Sequence, residues 1–416
     1  MRILYISGDN PAVDTILNGM DDSTLGGLPA FYYPFKMLLE RGHTIDLLLY
    51  TAEEKTVTES AHFKAENLIQ LHPKNGMLPG AVEYALQLTG AARSLLNERH
   101  YDFVYGMSEG AHLAVREAAK RGIPCGLRQF GTQEMANVLE PIRSVLLRRL
   151  KALKDYTYIT LSMQSRKSFL LATDDGTDTG AVPGLLGIEA LPYRFFLWHT
   201  GIEIPAEQPA LGDGETYPAG YAPMVLSHIG RVTELKSQDR SLRILEQLHR
   251  KGYPFHLYFV GDIRSEAFHK ELLAWAEEHG LEAYVHFTGF LNQKVCRAYA
   301  RNSFMTLLTA DFNGGNVFYE IMSEGALLLM LRDPSLDRYA ENGVNCVVCG
   351  KEEYEQAAER ILALMDKEDT QAAIRRAAYQ TAREKFLSIE KRFGLEADLV
   401  EAAARGEDLS RFPETL

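Results

Sequence analysis

Cysteine is scarce in this chain. It occurs four times in 416 residues, at Cys125, Cys296, Cys346 and Cys349, too few and too scattered for a disulfide framework. Cys346 and Cys349 have CxxC spacing in the string NCVVCG, but no second pair and no nearby histidine completes a zinc set. Val347 and Val348 between them favour a strand, whose alternation sends the two thiols to opposite faces. A reducing cytoplasm and no metal are the expectation. Long apolar runs are also missing: none reaches the roughly 18 uncharged residues of a membrane span. Positive charge is in deficit, with 44 Lys and Arg against 56 Asp and Glu and a net charge of −12. With no basic tail either, nucleic acid is not an expected partner. The first residues, MRILYISGDNP, lack the basic head and long apolar core of a signal peptide and read as a strand entering a turn.

What remains is an ordinary globular composition, 46% apolar and 24% charged, in a chain too long for one core of usual size. Two domains are expected. Arg2 to Ser7 reads as a strand, a polar run ending in Gly26-Gly27 follows, Leu28 to Arg41 has helical periodicity, and Ile45 to Tyr50 is a second strand. That is one right-handed βαβ unit. The beat continues with a helix over 81–99, a strand over 101–105, a helix over 111–121 and a strand over 123–128. Two strand ends, carrying Ser108-Glu109 and Arg128-Gln129 through Glu134, should share the carboxyl edge of a parallel sheet, where ligands bind. Tyr156 to Ser162 reads as a further strand and Ser162 to about Leu171 as a helix. The Pro-, Gly- and acid-rich stretch at 204–221 reads as a linker. After it the strand–helix alternation restarts at Met224 and runs to a mainly helical end. The division is therefore 1–203, linker 204–221, 222–385, and a helical segment 386–416 expected to pack back on the first domain. The fold class is α/β, with two doubly wound, Rossmann-like parallel-sheet domains.

Residues 142–155, IRSVLLRRLKALKD, interleave Arg143, Arg148, Arg149, Lys151 and Lys154 with Ile142, Val145, Leu146, Leu147, Leu150 and Leu153. The ordinary expectation is a solvated helix with its leucines on the core. The same pattern suits weak association with an anionic membrane.

The stretch around which the chain is organised is DFNGGNVFYEIMSEGALLLMLRDP, from Asp311 to Pro334. It reads as a polar glycine turn, Asn313-Gly314-Gly315-Asn316, a short helix from Val317 to Ser323 containing Glu320, and a strand over Ala326 to Leu331 after Gly325. Adjacent glycines admit a ligand close to the backbone, and first-turn amides suit an anion. Arg231 and Lys236 follow another strand end, at Gly230. Two cations beside open amides suit a diphosphate, and a carboxylate nearby suits sugar hydroxyls. A nucleotide-sugar pocket is the resulting expectation. Neither the GxxxxGK[ST] loop of NTPases nor a GxGxxG dinucleotide fingerprint occurs.

On these residues the chain resembles the GT-B glycosyltransferases of the large retaining family four, also called group 1, over nearly its whole length. Gly230-Arg231-Val232-Thr233-Glu234-Leu235-Lys236 resembles the family's GR(L)-x3-K string. Val260-Gly261-Asp262 resembles its VG(D/N/E/S) strand end, and Phe287-Thr288-Gly289 its F-x-G element. The run from Gly314 to Gly325 resembles GLPN-x-x-x-EAMA-x-G, with Glu320 on the second glutamate of E-x7-E. Gly26-Gly27, Arg41-Gly42-His43 and Thr200-Gly201-Ile202-Glu203 resemble further family strings.

The resemblance implies two domains facing a cleft and transfer of a hexose from a UDP- or GDP-sugar with retention. Arg231 and Lys236 would meet the diphosphate and Glu320 the ribose. Gly26, Gly27, Gly230, Gly261, Asp311, Gly314, Gly315 and Asn316 would complete the donor site. No cofactor or metal is implied beyond the donor substrate. The acceptor would be a glycan or lipid-linked saccharide in cell-surface polysaccharide synthesis, on the cytoplasmic side and at the inner face of the plasma membrane. The chain departs from the pattern twice. Phe312 stands where the first glutamate should, leaving Asp311 or Asn316 to replace it. No histidine occurs near Phe130, which leaves Ser108, Glu109, Arg128, Gln129 and Glu134 as acceptor-side candidates. A binding protein on the same fold that has lost catalysis is the alternative.

Overall fold

The computed structural model describes residues 1–20, 29–58, 63–73, 80–132, 135–174, 176–212, 216–313 and 315–416. Gly26, Gly27, Glu134 and Gly314 lie outside them. The chain divides into two compact units, one formed by Met1–Gly201 with Ile389–Leu416, the other by Ile202–Ser388.

In the first unit the strands are β1 (Arg2–Gly8), β2 (Thr44–Tyr50), β3 (Leu68–Leu71), β4 (Phe103–Met107), β5 (Cys125–Gln129), β6 (Phe169–Thr173) and β7 (Arg194–Trp198). Its helices are α1 (Pro11–Leu17), α2 (Pro29–Glu40), α3 (Gly80–Glu98), α4 (His112–Lys120), α5 (Met135–Leu139), α6 (Val145–Asp155), α7 (Thr157–Gln164) and α8 (Val182–Leu185). Among the described residues the strands form one parallel sheet in the order β3-β2-β1-β4-β5-β6-β7. β1 and β4 are buried along nearly their whole length, which is why they read as continuous apolar runs and not as alternating ones.

The second unit contains β8 (Val225–Ile229), β9 (His256–Val260), β10 (Val285–Phe287), β11 (Met305–Leu308), β12 (Leu328–Leu331) and β13 (Val347–Cys349). They form a parallel sheet in the order β10-β9-β8-β11-β12-β13. Helices α9 (Gln238–Arg250), α10 (Glu266–Glu278), α11 (Gln293–Asn302), α12 (Asn316–Ser323), α13 (Tyr354–Met365) and α14 (Glu368–Lys385) cover it. Helix α15 (Ile389–Ala404) belongs to the first unit. Each sheet has one point where consecutive strands run off in opposite directions, between β1 and β4 in the first and between β8 and β11 in the second. Crevices at the carboxyl ends of such strand pairs are the usual ligand sites of doubly wound folds.

Two expectations are corrected. Tyr156 to Ser162 is not a strand, because α7 occupies Thr157–Gln164, and the strand β6 falls on Phe169–Thr173 where a helix was expected. The aromatic and β-branched string YTYIT imitates strand composition, but burial at Ile159, Thr160, Ser162 and Met163 follows helical spacing. The leucines of α6 do not pack on the core. Only Ala152 of that helix is buried, and Ile142 just before it is partly buried. The described residues of 204–221 bond to the second unit, with Gly212 N–H on Asn302, Tyr299 Oη on the Thr216 carbonyl and Tyr379 Oη on the Pro205 carbonyl.

Cys346 and Cys349 are free and buried, and burial pushes the Cys346 thiol up to about 12. Among the described residues, no group of three or more His, Cys, Asp or Glu is arranged to hold a metal ion, and no helix is long and apolar enough to cross a membrane.

The first unit's sheet is tied to α15 by a buried polar network. Glu396 accepts from Tyr105 Oη at 2.6 Å and from Arg392 at 2.9 Å, and it pairs closely with Arg128. Arg392 also donates to the His199 carbonyl at 2.7 Å and lies over the Trp198 ring. Two guanidinium groups thus share one carboxylate in a site closed to water. Such a cluster is costly to assemble and costlier to break.

Candidate functional site

The loops singled out in the second domain follow β8 and β11, the two strands that flank its switch point. After β8 the backbone turns at Gly230, with φ +149°, and passes against Gly261 at the end of β9, with φ +156°. The approach is so close that a Cβ on Gly261 would lie 2.3 Å from the Gly230 carbonyl oxygen. Only glycine fits there. Gly230 N–H bonds to Val260 O and Val232 N–H to Asp262 O, locking the two turns together. Lys236 ends a short 3-10 turn and runs its alkyl chain back past Gly230, within 3.9 Å of where a Cβ would sit. The Arg231 side chain is exposed and has no hydrogen-bond or ion-pair partner among the described residues. Gly230, Arg231, Lys236 and Gly261 are therefore brought together.

After β11 come Asp311, Phe312 and Asn313, then α12 with Gly315 as its N-cap. No side chain caps that helix, so its first amides remain open to an acceptor. Asn316 opens the helix and is half-buried, as is Glu320 one turn further on. Glu320 Oε1 accepts from Gln293 Nε2 on α11 at 2.7 Å. Burial pushes the Glu320 carboxyl above its ordinary value, and Gln293 and Arg297 act against that rise. Asp311 is held by Arg240 at 2.9 Å and Lys351 at 2.7 Å, and the Arg240 bond keeps its carboxyl below the usual range. Asp311 thus already carries two cations, which limits its freedom to stand in for a glutamate at Phe312.

Several supporting residues carry no motif of their own. Asp333 accepts from Asn313 N–H at 2.6 Å and so fixes the turn into α12. Gln238 donates to the Arg231 carbonyl at 2.9 Å. Beneath the loops, buried His228 on β8 bonds through Nδ1 to Ser241 Oγ, which meets Thr309 Oγ1 at 3.1 Å, which donates to Ser237 O at 2.8 Å. Burial, with Lys236 adding to it, holds His228 down at about 3. Glu324 at the end of α12 receives both Arg297 and Arg301 at 2.6 Å. No spacing rule links these partners, which stand from 7 residues apart, Gln238 and Arg231, to 72 apart, Thr309 and Ser237.

In the first domain Ser108 ends β4 beside the switch point with φ +73°, an uncommon left-handed value for serine. Its N–H bonds to Arg128 O at 2.9 Å. Glu109 follows and is half-buried, and its carbonyl accepts from His112 Nδ1 at 2.7 Å. That bond leaves Nε2 as the acceptor nitrogen of a buried ring with no partner among the described residues. Burial brings the His112 pKa down to about 4. Arg128 and Gln129, expected to face an acceptor, point inward instead and are fully buried. Arg128 is committed to Glu396, and Gln129 Nε2 donates to the Gly131 carbonyl. Phe130 stacks on Phe31 at 4.3 Å. Of the acceptor-side candidates, Ser108 and Glu109 alone are described and reach the surface.

Comparison with known proteins bears on the fold first. The architecture is the GT-B type, two Rossmann-like domains with parallel sheets. Residues 222–381 match the family model described as "Glycosyl transferases group 1". Sucrose-phosphate synthase from Thermosynechococcus elongatus is similar in structure, with a TM-score of 0.69 at 11% identity over 97% of this chain and 99% of that one. HepE from Anabaena, solved in complex with UDP and glucose, gives 0.64 at 16% identity over 96% and 99%. WaaG, a glycosyltransferase involved in lipopolysaccharide biosynthesis, gives 0.63 at 16% identity over 96% and 99%. No curated protein matches the chain by sequence.

Proposed function

We propose that this chain is a retaining glycosyltransferase of the group 1 type. It moves a hexose from a UDP- or GDP-sugar to a glycan or lipid-linked acceptor in cell-surface polysaccharide synthesis on the cytoplasmic side of a membrane. The observation that carries the reading is the convergence, at the switch point of one sheet, of the Gly230–Gly261 cradle, two cations and the uncapped start of α12. The match over residues 222–381 covers the same loops, and HepE supports it as a relative of similar fold that binds UDP.

In this reading the diphosphate lies against the amides of Gly315 and Asn316. Arg231 and Lys236 neutralise the charge that builds on the leaving oxygen as the glycosidic bond breaks. Glu320 accepts from donor hydroxyls, with Gln293 fixing its orientation. The departing phosphate assists removal of the acceptor proton, so the residues need supply no separate base.

One observation favours the alternative, a nucleotide-sugar binding protein without catalysis. Phe312 offers no acceptor atom, and Arg128 and Gln129 are both committed inside the first domain. Titration calorimetry with UDP, GDP and their common sugars separates the cases. Micromolar binding that is lost in Arg231→Ala and Glu320→Ala supports the site, and turnover with an acceptor supports the enzyme. Binding without turnover across acceptors favours the alternative. No binding to any nucleotide overturns both.

A further inference from the structure

Helix α11 faces α12 as a ladder. Gln293, Arg297 and Arg301 stand four residues apart on α11, and Glu320 and Glu324 four apart on α12 and its C-cap, so each set lies on one helical face. Gln293 Nε2 donates to Glu320 at 2.7 Å, and Arg297 and Arg301 each reach Glu324 at 2.6 Å. Glu324 needs both guanidinium groups. It is buried, and it sits at the carboxyl end of a helix, where the backbone dipole disfavours negative charge. Arg297 is buried as well and spends its whole fork. Its Nε goes to Glu324, while its terminal nitrogens meet the Glu203 carboxylate at 2.8 Å and the Glu203 carbonyl at 3.0 Å.

Glu203 closes the string Thr200-Gly201-Ile202-Glu203, which the donor site leaves without a role. It is the second residue of the second unit, next to the bridge that Ile202 makes with Ser388 at that unit's other end. Its side chain is 70% exposed, whereas Arg297 and Glu324 are nearly closed to water. Among the described residues, two cations thus serve three carboxylates in the ladder. Glu324 holds both, Glu203 shares one, and Glu320 is left with the neutral amide of Gln293. Burial raises the Glu320 carboxyl; Gln293 and Arg297 oppose the rise, and Glu324 and Glu203 add to it. Cys296 on α11 also acts on Glu320, but burial pushes its thiol up to about 12 and keeps it neutral. On α14, Ala378 and Ala382 join the apolar cluster around Phe318 and Tyr319, and Arg375 donates to the Arg301 and Phe304 carbonyls.

We infer that Arg297 is a positioning residue for the donor-binding carboxylate Glu320, and that Glu203, at the entry to the second unit, sets the charge that Arg297 brings to bear on it. The inference rests on the donor reading of Glu320. The test is titration calorimetry of the full chain with UDP and GDP from about pH 4 to 8, read as the acid limit of binding. Glu203→Gln removes a negative charge and should move that limit to lower pH by about half a unit, a modest shift because water screens Glu203. Arg297→Gln should move it to higher pH. A loss of packing alone would lower affinity at every pH or move both limits the same way. A second readout needs no nucleotide: the stability gained by Glu320→Gln, from urea midpoints over the same pH range. A carboxyl raised in the folded state loses stability as pH climbs from its unfolded value through its folded one, so the gain grows across that window. The window should end at lower pH in the Glu203→Gln background and at higher pH in the Arg297→Gln background. If Arg297→Gln does not fold, Glu203→Lys replaces it and should shift both readouts further than Glu203→Gln, in the same direction. Shifts of these signs uphold the inference. Readouts unmoved by Glu203→Gln overturn it, as do shifts of Glu203→Gln and Arg297→Gln in one direction. If neither nucleotide binds the unaltered chain, the donor reading fails, and the stability readout alone decides whether Arg297 and Glu203 act on Glu320.

Discussion

Gly261 has so little room that one methyl group decides its fate. Gly261→Ala places a Cβ against the Gly230 carbonyl, where backbone on both sides cannot yield. The expected outcome is a loss of about 1–3 kcal/mol in urea denaturation, together with loss of nucleotide binding. Gln293→Leu acts more gently. Its amide donates to the Glu320 carboxyl, so removing it raises further a pKa that burial has already raised. Nucleotide affinity should then fall off at a higher pH on the acid side than in the unaltered chain. Calorimetry between about pH 5 and 8 checks this, and an unmoved acid limb would leave Gln293 with a packing role only. Glu320 was legible in the sequence because it sits in a local pattern with glycines on both sides. Gln293 was not, because it stands 27 residues away and no spacing rule links a side chain on one helix to a carboxylate on another. Arg128 misled for the opposite reason. Its place at a strand end was read correctly, but its partner Glu396 is 268 residues further on.

At the scale of elements, the Glu117 carboxylate on α4 helps fasten that helix to α3, beside a bond from Arg121 to Asn97 Oδ1 at 3.2 Å. Glu117 receives Arg93, Lys120 and Arg121, at 3.0, 2.7 and 3.2 Å. Arg93 leads in drawing its pKa down from 4.5 to about 2. A carboxyl lowered in the folded state adds stability above its unfolded pKa and loses it as pH falls toward the folded one. Glu117→Gln should therefore cost about 1–2 kcal/mol at pH 7, discounted for the exposure of its partners. The difference from the unaltered chain should close as pH drops from 4.5 toward 2, read from urea midpoints. Most elements were legible from periodicity and glycine stops. Those over 156–173 were not, since short apolar strings with aromatic and β-branched residues satisfy strand and helix templates alike. The face of α6 was legible as amphipathic, but its direction was not: the pattern cannot show that Arg148 and Arg149, and not the leucines, hold the helix down.

For the whole molecule, each unit carries one of the two tryptophans, Trp198 in the first and Trp275 in the second. Fluorescence of single-tryptophan variants can therefore follow each unit apart. Glu396→Ala leaves Arg128 and Arg392 buried without a counter-ion, and the Trp198 transition should lose about 3–5 kcal/mol, with the Trp275 transition unmoved. Acid should weaken both units. His112 and His228 are held neutral by burial, at about 4 and about 3 against an ordinary 6.5, so the unfolded chain takes up protons that the folded chain refuses. Stability then falls as pH drops below 6.5, in addition to the carboxylate losses at lower pH.

The return of Ile389–Leu416 to the first unit also fixes an order of events during synthesis. A ribosome completes Ile202–Ser388 before it has made the helix that supplies Glu396 to the β4 and β5 ends. Chains usually mature from the amino end as they emerge. Here the first unit waits, with an uncompensated Arg128, until Ile389–Leu416 has been made, and the second unit is the first whose sequence is complete. A nascent chain stalled after Ser388 would hold the second unit's sequence in full and the first unit's sheet without the carboxylate that its Arg128 pairs with.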